Sequence, residues 1–179
     1  VAIKKVEGGL FSTFANEKLS VGQVLETMAP MGNFVCETQT NNKKNYVAFA
    51  AGSGITPMMS IIKTVLHNEP SSQFTLVYGN QSFQSIVFRE EIEALKNKFL
   101  TRFTVIHILS RERLESDLNF GRIDDKKCDA LSENLLSIDA IDQIFICGPE
   151  PMILSVRDYF LGKGMDKTSV KFELFTSGH

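Results

Sequence analysis

YVAFAAGSGITP, residues 46–57, decides the fold. Its first six residues, Tyr46 to Ala51, form an unbroken apolar run, the pattern of a strand buried on both faces. The run breaks at Gly52 and Gly54. Beyond Pro57 the period changes: Met58, Ile61, Ile62, Val65 and Leu66 recur at helical spacing. Thr56 is placed to cap that helix and Pro57 to occupy its first position. Buried strand, glycine turn and amphipathic helix, in that order, begin a βαβ unit.

The alternation continues towards the C-terminus. Phe74–Tyr78 reads as a strand stopped by Gly79-Asn80, and Phe88, Ile92, Leu95 and Phe99 mark a helix. Phe103–Leu109 is a third strand, and Asp129–Leu136 a short helix. Gln143–Cys147 is a fourth strand, closed by Gly148-Pro149. Met152, Ile153, Val156, Tyr159 and Phe160 share one face of a last helix, ended by Gly162 and Gly164, before a fifth strand at Val170–Phe175. The fold class expected is α/β, a parallel, doubly wound sheet.

Towards the N-terminus the pattern differs. Val1–Val6 and Val24–Met28 are expected as strands, with a short helix near Phe11–Glu17. A segment of about 45 residues cannot bury a core of its own without staples. It is therefore expected to be the tail of an antiparallel β domain whose beginning is absent, with the polar stretch TQTNNKKN (38–45) as the link. The division expected is 1–40 and 46–175.

Composition removes several function classes. The 179 residues are 43% hydrophobic and 22% charged with net charge −2, so no basic surplus marks a binder of nucleic acid or of a membrane surface. Apolar runs fall well short of the ~20 residues a membrane helix needs. Lys4, Lys5 and Glu7 sit where a secretory signal would be apolar. Cys36, Cys128 and Cys147 are odd in number and widely spaced, which suits neither a disulfide framework nor a zinc or iron–sulfur ligand set. His67, His107 and His179 have no metal-ligand spacing. No metal site, nucleic-acid partner or membrane partner is expected, and a reducing cytoplasm is the expected compartment.

In an open parallel sheet, ligands gather beyond the carboxyl ends of the strands. Three such ends carry informative residues. Gly52-Ser53-Gly54-Ile55-Thr56-Pro57 lets the backbone approach a ligand and leads into a helix N-terminus, which suits a pyrophosphate; a tight turn with no ligand would read the same. Ser110-Arg111-Glu112 sets a hydroxyl beside a guanidinium, a phosphate clamp or a solvated turn. Cys147-Gly148-Pro149 forces a turn with a thiol at the strand tip, or ends a strand on a buried structural thiol. Ahead of the sheet, Gly8-Gly9-Leu10-Phe11-Ser12 is a second turn able to hold an anion.

Taken together and in this order, GGLFS (8–12), AGSGITPMM (51–59), LSRE (109–112) and CGPEPM (147–152) resemble the ferredoxin–NADP reductase superfamily over nearly the whole chain. VEGGLFSTF, MAPMGNF, VYGNQS and the terminal FELF point to its oxygenase reductases. The resemblance implies an FAD-binding barrel followed by an NADP(H)-binding α/β domain. It assigns Gly9, Leu10, Phe11 and Ser12 to the FAD pyrophosphate, and Gly52, Ser53, Gly54, Ile55, Thr56 and Pro57 to the nicotinamide nucleotide. Ser110 and Arg111 would read the 2′-phosphate, with Arg122 as a second contact. Cys147, Gly148 and Pro149 would lie by the nicotinamide with Met152 behind, and Glu173–Phe175 by the flavin ring. Cys147 is the residue placed nearest the chemistry, as a positioning group.

Two features of the family pattern are absent: no Arg-x-Tyr-Ser/Thr flavin motif occurs, and no CxxxxC…C run for a C-terminal 2Fe–2S domain. The chain is thus expected to be a core fragment of a longer reductase. In that reductase a hydride would pass from NADPH to FAD, and electrons then to an iron–sulfur centre serving an oxygenase component. The alternatives are a nucleotide-binding module without turnover, and a reductase for a haem or a separate ferredoxin.

Overall fold

The structure, a computed structural model, describes residues 2–175; Val1 and the segment 176–179, with His179, lie outside the described residues. Strands β1 (Asn45–Ala51), β2 (Gln73–Asn80), β3 (Phe103–Leu109), β4 (Gln143–Gly148) and β5 (Val170–Leu174) form one sheet in the order β3-β2-β1-β4-β5. Every pairing is parallel. Helices α2 (Ile55–Asn68), α3 (Arg89–Lys98), α4 (Asp125–Asn134) and α5 (Glu150–Gly162) are the crossovers.

Side-chain alternation splits the core into two layers. Tyr46, Ala48 and Ala50 of β1 pack with Met58, Ile62 and Val65 of α2 and with Ile92 of α3. Val47 and Phe49 face the other way, onto Leu131 of α4 and Ile153, Val156 and Phe160 of α5. The sheet is doubly wound, and β1 is buried on both faces because it is the central strand.

Local chemistry sets the helix ends. α4 starts at Asp125 rather than Asp129, because the Asp124 carboxylate caps it by accepting the Lys127 backbone N–H at 2.8 Å. Only Cys128 and Leu131 of this helix are buried, too few apolar positions to mark its start in the sequence. α5 closes in paired bonds from Met165 N–H to the Phe160 carbonyl (3.1 Å) and from Gly164 N–H to Leu161 (3.0 Å), with Gly164 at φ +93°.

The chain divides between Asn33 and Phe34 into two compact units. In the first, helix α1 (Leu10–Glu17) forms where expected. The strands expected at Val1–Val6 and Val24–Met28 do not form among the described residues, so the barrel portion expected ahead of the sheet is not there. A strand needs a neighbour for its N–H and C=O groups, and neither segment meets one. Val24 and Met28 stand exposed.

The polar stretch 38–45 lies within the second unit and is docked. The buried Glu69 carboxylate accepts from Gln39 N–H (3.0 Å) and from the Tyr46 (3.0 Å), Asn42 (2.6 Å) and Ser72 (2.7 Å) side chains. Burial pushes the Glu69 carboxyl up, but these donors outweigh it and hold the group below its ordinary value. Arg102 closes the end of α2 from outside, donating to the carbonyls of Leu66 and Glu69, each at 2.8 Å.

Candidate functional site at the strand tips

β1 and β4 are neighbours, and the helix that follows each lies on the opposite face of the sheet. Between their carboxyl ends such a sheet opens a crevice. After Ala51 the chain makes one tight turn, Gly52–Gly54, and enters α2 at Ile55. Gly52 has φ +54° and nothing within 4 Å of the place a Cβ would occupy, so glycine is needed there for its backbone. Gly54 has an ordinary φ of −61°, and is needed for space: a Cβ would stand 2.1 Å from the Cys147 carbonyl oxygen. On the facing loop, a Cβ on Gly148 would meet Met152 Cε at 2.7 Å and Ala51 Cβ at 3.2 Å. The two loops touch through their glycines.

The cap expected from Thr56 is not made. Gly54 holds the N-cap position with no side-chain bond, and the Thr56 hydroxyl donates to the Ser53 carbonyl at 3.0 Å. Pro57 is the third helical residue rather than the first. It fits there because the first-turn N–H groups have no helical partner in any case. Ile55 is fully buried and its N–H is taken by the Gly52 and Ser53 carbonyls, so it contributes packing. Pro149 caps α5, whose N-terminus opens on the same crevice as that of α2. Two helix starts give the crevice a positive end-field suited to an anion.

The Cys147 side chain lies in the core instead of standing at the tip: it is fully buried among the residues of the α2 face. Burial pushes its thiol up to about 12, with the Glu173 carboxylate adding in the same direction. A neutral thiol is no nucleophile at neutral pH. What Cys147 offers the crevice is its carbonyl, in contact with Gly54. Glu173 sits beside Cys147 in the β4–β5 register, and Phe175, half exposed, continues beyond. Met152 is buried under Gly148.

At the tip of β3, Ser110 N–H donates to the Asn80 carbonyl (2.9 Å) and Arg111 N–H to Gln81 (2.8 Å). A parallel bridge joins Leu109 to Phe120, and Gly121 N–H donates to Leu109 at 2.9 Å. The chain runs from that bridge into Ser110-Arg111 on one side and Gly121-Arg122 on the other. Arg111 and Arg122 each stand two residues beyond the Leu109–Phe120 bridge, both exposed and neither in an ion pair among the described residues. Glu112 is occupied, its carboxylate accepting Phe83 N–H at 2.8 Å.

In the first unit, Gly9 N–H donates to the Val6 carbonyl at 3.0 Å, and Ser12 Oγ accepts Val6 N–H at 3.1 Å. A Cβ on Gly9 would lie 2.5 Å from that oxygen. α1 starts here without a side-chain cap, and Gly9, Leu10 and Lys18 help line a cleft of about 280 Å³. Leu10 and Phe11 are exposed.

Sequence pattern alone does not single out Tyr78, whose hydroxyl donates to the Gly52 carbonyl at 2.9 Å. The signal available is a tyrosine near the end of a buried strand, in VYGN, level with the end of β1.

A doubly wound parallel sheet with glycine loops meeting at its switch point is the architecture of a dinucleotide-binding domain. The family model for the oxidoreductase NAD-binding domain matches residues 49–158, and the chain belongs to that family. It is 43% identical over 177 residues to a component of the 1,2-phenylacetyl-CoA epoxidase of Escherichia coli (strain K12), covering 99% of this chain and 50% of that protein. It is 33% identical to the ferredoxin reductase component of 3-ketosteroid-9-alpha-monooxygenase from Rhodococcus rhodochrous, over 99% of this chain and 46% of that one. Among solved structures, the FAD/NAD-binding domain of nitric oxide dioxygenase from Vibrio cholerae superposes with a TM-score of 0.77 at 26% identity, over 93% of this chain and 65% of that one. The chain spans about half the length of the curated relatives it matches. Among the described residues no helix is long and apolar enough to cross a membrane, and no group of His, Cys, Asp and Glu is placed to hold a metal ion.

Proposed function

We propose that this chain is the nicotinamide-nucleotide-binding part of a flavin-dependent reductase. In it NADPH would reduce FAD, and electrons would pass through a 2Fe–2S centre to an oxygenase component of the phenylacetyl-CoA epoxidase type. The observation that carries the reading is the contact of the two glycine loops at the β1/β4 switch point. FAD, when bound, would supply the conversion of a hydride into single electrons. The residues of this chain bind and orient.

The strand-tip loops would suit the nucleotide, whereas no residues among those described are placed to ligate a 2Fe–2S centre. Gly52 leaves open space where a side chain would stand, so Gly52–Thr56 can lie close under a pyrophosphate, with Ser53 as a hydroxyl donor. Cys147, Gly148 and Pro149, backed by Met152, form the wall on which a nicotinamide would rest. Ser110, Arg111 and Arg122 would bind the 2′-phosphate, since forked guanidinium donors match phosphate oxygens and no carboxylate competes for them. Gly9, Leu10, Phe11 and Ser12 would hold the FAD pyrophosphate, and Glu173 and Phe175 would stand at the flavin edge. The three cysteines are unpaired, which suits a reducing cytoplasm.

Calorimetry with NADP⁺ and NAD⁺ tests the binding half of the reading. Anaerobic mixing of the flavin-loaded full-length protein with NADPH tests the chemistry. The expected results are tighter binding of NADP⁺ and bleaching of the flavin band by NADPH. Binding of neither nucleotide would refute the proposal. Binding without flavin reduction would favour a nucleotide module without turnover.

A further inference from the structure

Tyr78 is the one motif residue of VYGNQS that reaches the glycine loop. Its ring is fully buried on the α2 face of the sheet. Its hydroxyl donates to the Gly52 carbonyl at 2.9 Å. Asn80, two residues further along β2, is also buried, and its Nδ2 has no hydrogen-bond partner among the described residues. Burial pushes the Tyr78 hydroxyl up to about 12, so it keeps the proton it gives to Gly52.

The loop has few other ties to the sheet. The bonds from Ile55 N–H and from the Thr56 hydroxyl are internal to it. From the β4 side it is held by contact at Gly54. From the β2 side the bond to Gly52 comes from Tyr78, and Gly52 is the residue whose left-handed backbone aims the turn.

We infer that Tyr78 is a positioning residue for nucleotide binding: its hydroxyl ties β2 to the Gly52 carbonyl and holds the phosphate-facing loop ready before ligand arrives. This rests on the nucleotide-binding reading given above. A merely structural tyrosine would stabilise the fold without touching affinity. A positioning tyrosine lowers the ordering cost of binding, so its loss appears in the dissociation constant.

The test is Tyr78→Phe, which removes one oxygen and keeps the ring. Tyr46→Phe is the control: it lies on the same core face, is equally buried, and donates to Glu69 instead. Calorimetry with NADP⁺ on the intact protein should show about five- to tenfold weaker binding for Tyr78→Phe, the range expected for one lost hydrogen bond. Tyr46→Phe should bind as wild type even where it melts lower. Amide exchange without ligand should quicken at Ser53–Ile55 in Tyr78→Phe and stay unchanged there in Tyr46→Phe. Equal affinity in Tyr78→Phe and wild type, or equal weakening in both variants, would overturn the inference while the nucleotide reading stands. A wild-type protein that binds neither NADP⁺ nor NAD⁺ would overturn both.

Discussion

Replacing Gly54 by alanine should damage this site more than any other single methyl. The new Cβ would stand 2.1 Å from the Cys147 carbonyl oxygen, 2.5 Å from its carbon and 2.8 Å from Gly148 N. Carbon and oxygen of this kind come no closer than about 3.3 Å, so roughly 1.2 Å must be found. The β4 backbone cannot supply it, because that strand is fixed in the ladder between β1 and β5. The Gly52–Gly54 turn must move instead. Overpacking of this type costs about 1–3 kcal/mol, and about 2–4 °C of melting temperature per kcal/mol in a chain of this size. A displacement near 1 Å at the cofactor also costs on the order of 100-fold in rate. Two companion variants give the scale. In Gly148→Ala the nearest atom is Met152 Cε at 2.7 Å, the free end of a flexible thioether, so the cost should be smaller. In Gly52→Ala no atom is met, and the cost is about 1–2 kcal/mol of left-handed backbone strain. Thermal melts, NADP⁺ calorimetry and stopped-flow flavin reduction in the full-length protein would rank the three. A Gly54→Ala protein that melts and binds as wild type would refute the claim that the two loops are in contact.

Arg111→Ala should weaken NADPH about 10–150-fold, the value of a lost charge-assisted bond of roughly 1.5–3 kcal/mol, and leave NADH nearly unchanged; equal losses for both cofactors would remove Arg111 from the 2′-phosphate. Cys128 and Cys147, both buried and pushed up to about 12, should resist iodoacetamide at pH 8 in the native protein and react after unfolding, as read by mass spectrometry. Since the Cys147 thiol lies in the core and its carbonyl is what meets Gly54, Cys147→Ala should lower the melting temperature and leave flavin reduction per folded molecule nearly unchanged; a tenfold slower rate, about 1.36 kcal/mol in barrier, would show that the side chain itself positions the nicotinamide. The lowered Glu69 carboxyl contributes stability that is full above the ordinary carboxylate range and is lost as pH falls through its folded value. Melting temperature should therefore drop below about pH 4, and Glu69→Gln should melt lower at pH 7 and flatten that drop.

The sheet was legible because its inner strands are mostly apolar and most strands stop at a glycine or a polar turn. Phe103–Leu109 appears with its expected bounds, and the other strands differ by one or two residues at their ends. The α4 start was not legible, since a cap on Asp124 is a local polar event inside a charged run. The strands at Val1–Val6 and Val24–Met28 misled because β-branched residues announce a strand only if a neighbour exists to pair with it. The candidate loops could be located one by one, but not their meeting. That Gly54 abuts Cys147, 93 positions away, follows from strand order, and no local pattern encodes it. Thr56 misleads for a related reason: the tight Gly52–Gly54 turn consumes the capping position before Thr56 reaches it. Tyr78 was hidden because a tyrosine in a buried strand looks the same whether or not its hydroxyl finds a carbonyl.

The strand order also sets a timetable for the ribosome. β1 can pair with β2 soon after both emerge, but its other edge must wait for β4. Asn45, at the head of β1, donates its N–H to the Asp142 carboxylate at 2.7 Å, 97 residues further along the chain. At about 5–20 residues per second, that distance takes roughly 5–20 s to synthesise. Throughout that interval the central strand of the sheet carries an open edge, and one of its faces lacks α5, which follows β4. The glycine loop at the tip of β1 takes its final shape only when Cys147 arrives beside it. Nascent chains arrested before Cys147 should therefore present the Gly52–Gly54 loop without its β4 wall, and be a substrate for chaperones that bind exposed strand edges.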